Sequence, residues 1–320
     1  MASFNNSTVS STARGSPIAY IAYINGEVVI AALTALGNGF VLAAIIKHRR
    51  LQSITNYFVA SLAASDFLVG VLGIPCAVVS FVGLHQNYIG CVLVNSMILI
   101  LTQISLLGLC AVAVERFVAI KYPYRYANSC TGTLCLIVIV VVWLMGIVLC
   151  VVPLPIWNKW SSYNGQCSFV AVVDIRQVVY VNFFLCTLVP LVFMFAIYCY
   201  IFHVVRQQLR RIEAVQRIST DVSRNVTLKK DSKAAKWFAV VIVLFALSWL
   251  PLQLINVVTL YGRPTYEPVL LAAIILSHAN SVVNPILYAF ANSKFKTAFK
   301  NMLHMKETAE SEDSLTQETQ

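Results

Sequence analysis

Seven long apolar stretches constrain this chain more than any other feature of its sequence. A helix that crosses a membrane needs roughly 20 consecutive apolar residues, because the hydrocarbon layer is about 30 Å thick and each helical residue rises about 1.5 Å. Only 11% of the 320 residues are charged, against about 25% in soluble domains. The sequence therefore predicts an all-α membrane protein, a bundle of seven transmembrane helices. The stretches lie at 19–46, 55–81, 91–120, 134–157, 177–204, 235–260 and 267–290.

The distribution of basic residues predicts the orientation, because lysine and arginine in short loops stay on the cytoplasmic side of a membrane. Of the 23 basic residues, only Arg14, Lys159, Arg176 and Arg263 fall on the side that carries the N-terminus. The sequence therefore predicts an extracellular N-terminus. The net charge of +10 then reflects topology and attraction to anionic membrane lipid, and nucleic acid is excluded as a partner.

The segments outside the seven stretches have distinct characters. We assign residues 1–18 to an extracellular N-terminus and 19–290 to the transmembrane domain. In the segment 291–306, Phe295 and Phe299 are four residues apart, which predicts an amphipathic helix on the membrane surface. The acidic segment 307–320 is predicted to be a disordered cytoplasmic tail.

Two covalent modifications follow from this topology. Of the nine cysteines, only Cys91 and Cys167 share the oxidising side of the membrane, so we predict a disulfide bond between them. Asn5 and Asn6 each begin an Asn-x-Ser/Thr sequon on the same side, where glycosylation can occur.

Ionisable side chains within the apolar stretches are candidates for function, because a charge at the bilayer centre costs at least about 2.5–3.5 kcal/mol. Glu27, Asp66, Glu115, Arg116 and His278 are such residues. Structural pairing within the bundle is the alternative for each of them. Together with Ser105, Asn280 and Asn284, the Asp66 carboxylate has the oxygen chemistry of a small-cation site, and sodium is the predicted ion.

A switch is predicted at the cytoplasmic end of the bundle. Arg116 follows Cys91 by 25 residues, about 37 Å along one helix, and Asp231 precedes Trp249 by 18 residues. An ion pair between Arg116 and Asp231 would latch the third and sixth helices together; a static surface pair of little energy is the alternative. Pro251 removes a hydrogen bond inside the sixth helix and predicts a kink there.

A set of motifs appears in order along the chain and resembles the rhodopsin-like G-protein-coupled receptors. The resemblance covers about residues 37–299. It implies a receptor in the plasma membrane rather than an enzyme, with a heterotrimeric G protein, arrestin and a receptor kinase as partners. The motifs are Gly37-Asn38, Leu62-Ala63-Ala64-Ser65-Asp66, Glu115-Arg116-Phe117, Trp143, Trp249-Leu250-Pro251 and Asn284-Pro285-Ile286-Leu287-Tyr288.

Four further segments resemble the adenosine receptors within that family. Phe169-Val170 and Ser248-Trp249-Leu250-Pro251 are similar to the third subtype. This resemblance implies adenosine as the ligand, coupling to the inhibitory G protein and a fall in adenylate cyclase activity. No cofactor is expected beyond the sodium ion. The four segments are Leu101-Thr102-Gln103, Val181-Asn182-Phe183-Phe184, Phe245 to Leu252 and Ser277 to Pro285.

The spacing of polar residues in the last two helices agrees with a nucleoside pocket. Residues i, i+3, i+4 and i+7 share one helix face, and two such faces are predicted to line one cavity. The Asn256 amide is complementary to adenine, Phe169 would stack on the purine, and Glu27 could hold His278. The predicted ligand-binding set is Glu27, Thr102, Phe169, Asn182, Trp249, Leu252, Gln253, Asn256, Ile274, Ser277 and His278.

Two positions depart from the family pattern. Val170 stands where family members often have a glutamate, and Gln253 stands where they often have a histidine. A receptor for another nucleoside or a small polar ligand is therefore an open alternative. An amine ligand is disfavoured because Ile98 stands where amine receptors carry aspartate. A polytopic transporter is the alternative from another class, although no internal repeat is evident.

Overall fold

The computed structural model describes residues 17–84, 87–153, 156, 159–215, 222–291 and 294–302. Within these ranges, side chains are not described at 205, 208–215, 222–239, 241, 290 and 291. The predicted glycosylation sites Asn5 and Asn6 and the predicted tail 307–320 lie outside the described residues.

The described residues form seven long helices, here α1 to α7, and each contains a segment apolar enough to span a membrane. The prediction of an all-α bundle is confirmed. Two of the helices contain π-helical segments, Val69–Gly73 in α2 and Gln177–Leu188 in α5. The bounds are Pro17–Lys47, Ile54–Val82, Tyr88–Lys121, Gly132–Val151, Gln177–Leu188 continuing as Val189–Val215, Val222–Leu260 and Glu267–Ala291.

The prediction that the fourth span reaches residue 157 is wrong, because α4 ends at Val151. Pro153 follows two residues later. A proline restricts the residue before it and has no N–H group for a helical hydrogen bond, so helices usually end ahead of it. The sixth helix is longer than predicted, since it begins at Val222 rather than at residue 235.

α3 lies at the centre of the bundle, against α2, α4 and α5. Its buried residues include Leu106, Leu109 and Ala113, which pack with apolar residues of α1, α2 and α5 to α7. α4, by contrast, buries only Cys135, Gly146 and Cys150. A mostly exposed and highly apolar helix is typical of a surface that faces lipid.

The two ends of the bundle carry different short elements. At the end here called the disulfide end, Cys91 at the start of α3 is bonded to Cys167, with an S–S distance of 2.04 Å. The predicted disulfide is therefore confirmed. At the opposite end, here called the Arg116 end, the short helix Pro123–Ser129 follows α3.

A short helix over residues 294–302 follows α7. Phe295 is only 2% exposed and packs near Tyr288 and Phe299. The predicted spacing of the two phenylalanines therefore places both rings on one face of a helix, and that face lies against the Arg116 end of the bundle.

Gly70 gives a test of how closely α1 and α2 pack. A Cβ atom at Gly70 would lie 2.8 Å from the Ala31 backbone oxygen and 2.9 Å from the Ala35 nitrogen. Because backbone atoms cannot rotate away, we expect Gly70→Ala to destabilise the protein by about 1–3 kcal/mol, the usual cost of overpacking. Gly132→Ala is the matched control, since nothing lies within 4 Å of that position. Heating the detergent-solubilised protein and measuring the remaining monomer by size exclusion checks this; equal melting temperatures for the two variants would contradict it.

Candidate functional site

A cavity lies between α3, α5 and α6, with Cys150 of α4 at one side. Four members of the predicted ligand-binding set line it, namely Thr102, Asn182, Trp249 and Gln253. The Asn182 Nδ2 and Trp249 Nε1 groups are buried and have no hydrogen-bond partner within the described part of the chain. Because buried donors are nearly always paired, these two N–H groups suit an acceptor atom that enters the cavity.

Asn256 lies one turn beyond Gln253 on α6. Its Nδ2 donates to the Gln253 Oε1 at 3.4 Å, so the two side chains form a chain of amides that leads from the cavity towards the disulfide end. Leu252, on the same helix, is half-buried.

The α7 residues of the predicted set are not among those that line this cavity, and the shared cavity of the α6 and α7 faces stays a prediction. The His278 side chain contacts α1, where its Nδ1 lies 2.8 Å from the Glu27 Oε2. Both side chains are buried, with 6% and 0% exposure. Ser277 is also buried and donates its hydroxyl to the Ile274 backbone oxygen at 2.7 Å.

Phe169 begins the short helix Phe169–Val172, two residues after the disulfide. Its ring packs on the apolar cluster around Cys91 and Cys167. Nearby, Arg176 pairs with Asp174 at 3.1 Å. This hydrogen bond from the Arg176 guanidinium lowers the pKa of the Asp174 carboxyl, so the loop keeps both charges at neutral pH.

Asp66 is fully buried and accepts three hydrogen bonds from two other helices. Ser105 of α3 and Ser281 of α7 each donate to Oδ1 at 2.9 Å, and Asn284 of α7 donates to Oδ2 at 2.7 Å. Ser281 therefore stands in the place where we expected Asn280, which makes none of the three bonds. The cluster joins α2, α3 and α7 in the middle of the bundle.

Arg116 contacts Glu115 of its own helix and Thr55 of α2. Its Nε and Nη2 donate to the Glu115 carboxylate at 2.6 and 2.7 Å, and Nη2 also contacts the Thr55 hydroxyl. The Thr55 hydroxyl donates to Glu115 at 2.9 Å. The Tyr126 hydroxyl of the short helix Pro123–Ser129 also donates to the Glu115 carboxylate. Burial, with the Glu115 contact, raises the pKa of Tyr126 to about 12, so this phenol remains a donor at neutral pH.

The remaining members of the predicted switch are placed only in part. Asp231 lies in α6, but its side chain is outside those described, so the Arg116–Asp231 latch stays a prediction. Pro251 lies inside α6 as predicted, and Pro285 lies inside α7. Tyr288 is buried, and its hydroxyl has no partner within the described part of the chain.

Comparison with known proteins places this architecture in a family. The model of the 7 transmembrane receptor (rhodopsin family) matches residues 37–288. The chain is 39% identical to the human adenosine receptor A2a, over 88% of its own length and 72% of the relative's. It is also 39% identical to the human adenosine receptor A2b and 38% identical to that of Gallus gallus, over 88% of its length and 89% and 88% of theirs.

The chain belongs to the adenosine receptors of the rhodopsin family. It is therefore a G-protein-coupled receptor and a multi-pass plasma-membrane protein, and the prediction that it is not an enzyme is confirmed. The relatives named above are A2a and A2b receptors, so the resemblance to the third subtype is not confirmed.

Sequence reasoning missed four residues of the sites described above, namely Ser281, Thr55, Tyr126 and Gln103. Ser281 and Asn280 precede Asn284 by three and four residues, and both spacings place a side chain on the Asn284 face, so spacing could not choose between them. Thr55 and Tyr126 had no signal, because the Thr55 contact with Glu115 depends on how α2 packs on α3 and the Tyr126 contact depends on how the short helix Pro123–Ser129 folds back. Gln103 lines the cavity; it lies in the segment Leu101-Thr102-Gln103, but the sequence predicted no role for it.

The Tyr126 contact predicts a change in the receptor's activity without ligand. Tyr126→Phe removes one donor from the Glu115 carboxylate and loosens the group that binds Arg116. We expect ligand-free guanine-nucleotide exchange to rise roughly threefold, the scale of one net hydrogen bond, in membranes with matched receptor density. Tyr124→Phe is the control, because Tyr124 lies on the same short helix and is 87% exposed. Unchanged exchange in Tyr126→Phe would contradict this role of the cluster.

Proposed function

We propose that this receptor binds adenosine at the disulfide end of the bundle, which faces outside the cell, and activates a heterotrimeric G protein at the Arg116 end. The observation that carries the proposal is the convergence of Thr102, Asn182, Trp249 and Gln253 on one cavity, with Asn256 one helical turn above it. The relatives' names, and the polar rather than charged lining, support a neutral polar ligand.

The available hydrogen-bond groups fit a nucleoside. The Asn256 amide offers a donor and an acceptor together, complementary to adenine's exocyclic amine and ring nitrogen. Thr102 and Ser277 donate their own hydroxyl protons to backbone oxygens, so each offers lone pairs to the hydroxyl groups of a ribose. The unpaired Asn182 and Trp249 N–H groups have the complementary role and donate to ribose oxygens. Phe169 is the aromatic face on which the purine stacks.

Activation proceeds by a shift between two arrangements of the helices. An agonist that touches α3, α6 and α7 at once favours one bend of α6 at Pro251 over the other. The Arg116 end then opens, and a segment of the G protein enters beside Arg116. The Asp231 latch belongs to this proposal, because it would oppose the opening until the agonist binds.

The class of G protein is a separate part of the proposal. The resemblance of some segments to the third subtype favours the inhibitory class, which lowers adenylate cyclase activity. Arrestin and a receptor kinase are further proposed partners. Cyclic AMP, measured with and without a cyclase activator, shows whether the receptor lowers or raises adenylate cyclase activity. A rise upon agonist addition, or a fall that survives inactivation of the inhibitory G protein, would contradict this assignment.

The role of Asn256 gives the sharpest test of the ligand. Asn256→Ala removes both hydrogen bonds to adenine, and we expect the half-maximal adenosine concentration to rise on the order of 100-fold, as two lost hydrogen bonds imply. Leu254→Ala is the control, because Leu254 is 57% exposed on the same helix and faces away from the bundle. Both variants are first shown to reach the cell surface. A normal adenosine response in Asn256→Ala would overturn the pose.

Another nucleoside is the second candidate, and the departures at Val170 and Gln253 favour testing it. Val170 is 72% exposed and offers no carboxylate to an exocyclic amine. Inosine lacks that amine, so it loses less than adenosine from this replacement. Dose-response curves for adenosine, inosine and an amine panel separate the candidates. A lack of response to every nucleoside would contradict the proposed function.

Sodium is proposed as an allosteric ion at Asp66. A carboxylate with two neighbouring hydroxyl oxygens has the hard-donor chemistry that such a cation requires, and Ser105 and Ser281 supply the hydroxyls. The ion would hold α2, α3 and α7 together and so oppose a rearrangement of these helices.

Asp66→Asn tests this site by removing the negative charge while keeping the shape. We expect sodium to lower agonist affinity several-fold in the unmodified receptor relative to an equal concentration of potassium, and to have no effect in Asp66→Asn. The measurement is agonist competition binding in membranes at constant ionic strength. Ser281→Ala provides a milder variant with the charge retained, for which a reduced sodium effect is expected. Equal sodium effects in all three proteins would contradict the site.

A further inference from the structure

A chain of buried polar contacts connects α2 with the disulfide bond. The Ser80 hydroxyl of α2 donates to the Asn95 Oδ1 of α3 at 2.7 Å. The Asn95 Nδ2 in turn donates to the Cys91 backbone oxygen at 2.9 Å and lies 3.4 and 3.6 Å from the Cys91 and Cys167 sulfurs. Ser80 and Asn95 are 3% and 2% exposed.

This arrangement fixes the direction of the Asn95 amide. Because the Cys91 backbone oxygen can only accept, the NH₂ group of the amide must face it and the two sulfurs, and the amide oxygen then faces the Ser80 hydroxyl, which donates to it. Each end of the amide is therefore paired, as a polar group in apolar surroundings requires. A leucine at position 95 would keep the volume but leave the Ser80 hydroxyl and the sulfurs without this partner.

The disulfide determines where the loop that carries Phe169 leaves the bundle. Cys167 is bonded to Cys91, and its backbone N–H donates to the Leu84 oxygen at 3.4 Å. The short helix Phe169–Val172 begins two residues later, with Phe169 packed on the cluster around the disulfide. A shift of the Cys167 sulfur is thus transmitted to the Phe169 ring through only two residues.

We infer that Asn95 and Ser80 are positioning residues for Phe169: they hold the disulfide, and through it the ring on which the ligand stacks. The inference rests on the proposed function for the stacking role of Phe169. The position of the loop itself is a property of the receptor without ligand and can be measured independently.

A double-mutant cycle between Asn95 and Phe169 tests the inference. We expect Asn95→Leu to weaken adenosine binding about three- to tenfold, the range of one interhelical hydrogen bond with an orphaned partner. In a Phe169→Ala background the same change has no further effect, because the ring it positions is gone. Ser80→Ala gives a smaller effect in the same direction and serves if Asn95→Leu fails to fold. The control Ser61→Ala removes another interhelical bond, from Trp143 at 3.0 Å, far from the disulfide along α2.

Hydrogen exchange of the purified receptor without ligand supplies the second readout. Asn95→Leu should raise deuterium uptake in residues 168–173, while Ser61→Ala should leave this segment unchanged. Additive losses of affinity in the cycle, or unchanged uptake, would overturn the inference. If the unmodified receptor binds no adenosine, the proposed function fails, but the exchange experiment still decides whether Asn95 positions the loop. Raised uptake without any change of affinity would also overturn the positioning role in ligand binding.

Discussion

The absence of water in the hydrocarbon layer is the constraint on which this structure depends. A buried carboxylate such as Asp66 has no solvent to stabilise it, so its partners must come from the bundle itself. Three hydrogen bonds from α3 and α7 meet that requirement. Asn38 of α1 adds a bond from its Nδ2 to the Ser281 backbone oxygen at 3.0 Å. Four helices are therefore connected by a few polar atoms, while the apolar side chains supply packing that lipid could partly replace.

The same constraint explains why polar clusters recur at three depths of the bundle. Glu27 with His278 joins α1 to α7 near the disulfide end, Asp66 joins α2, α3 and α7 in the middle, and Glu115 joins α2, α3 and a loop helix at the Arg116 end. A bundle held by such discrete contacts can have two arrangements of similar energy, which is the property that a conformational switch needs.

Hydropathy and helix geometry predict most of the fold, because a membrane span is a local property of the sequence. The disulfide was also predictable, since only two cysteines share one side of the membrane. Local rules fail where a choice depends on packing. Ser281 rather than Asn280 reaches Asp66 because of how α7 is rotated. Thr55 contacts Arg116 and Glu115 because of how α2 packs on α3, and Tyr126 reaches Glu115 because the loop after α3 folds back. No periodicity of the sequence reports such contacts.

Gln253 shows how a departure from the family pattern changes the chemistry of a site without removing it. An imidazole at this position would titrate near neutral pH, whereas the Gln253 amide has no charge change at any physiological pH. Its oxygen accepts from the Asn256 amide at 3.4 Å, and its side chain lines the cavity beside Trp249 and Thr102. The amide therefore connects Asn256, the residue proposed to bind adenine, with the cavity through a neutral contact. In the proposed binding mode, recognition through Gln253 depends on hydrogen-bond geometry alone, so its contribution to affinity stays constant with pH.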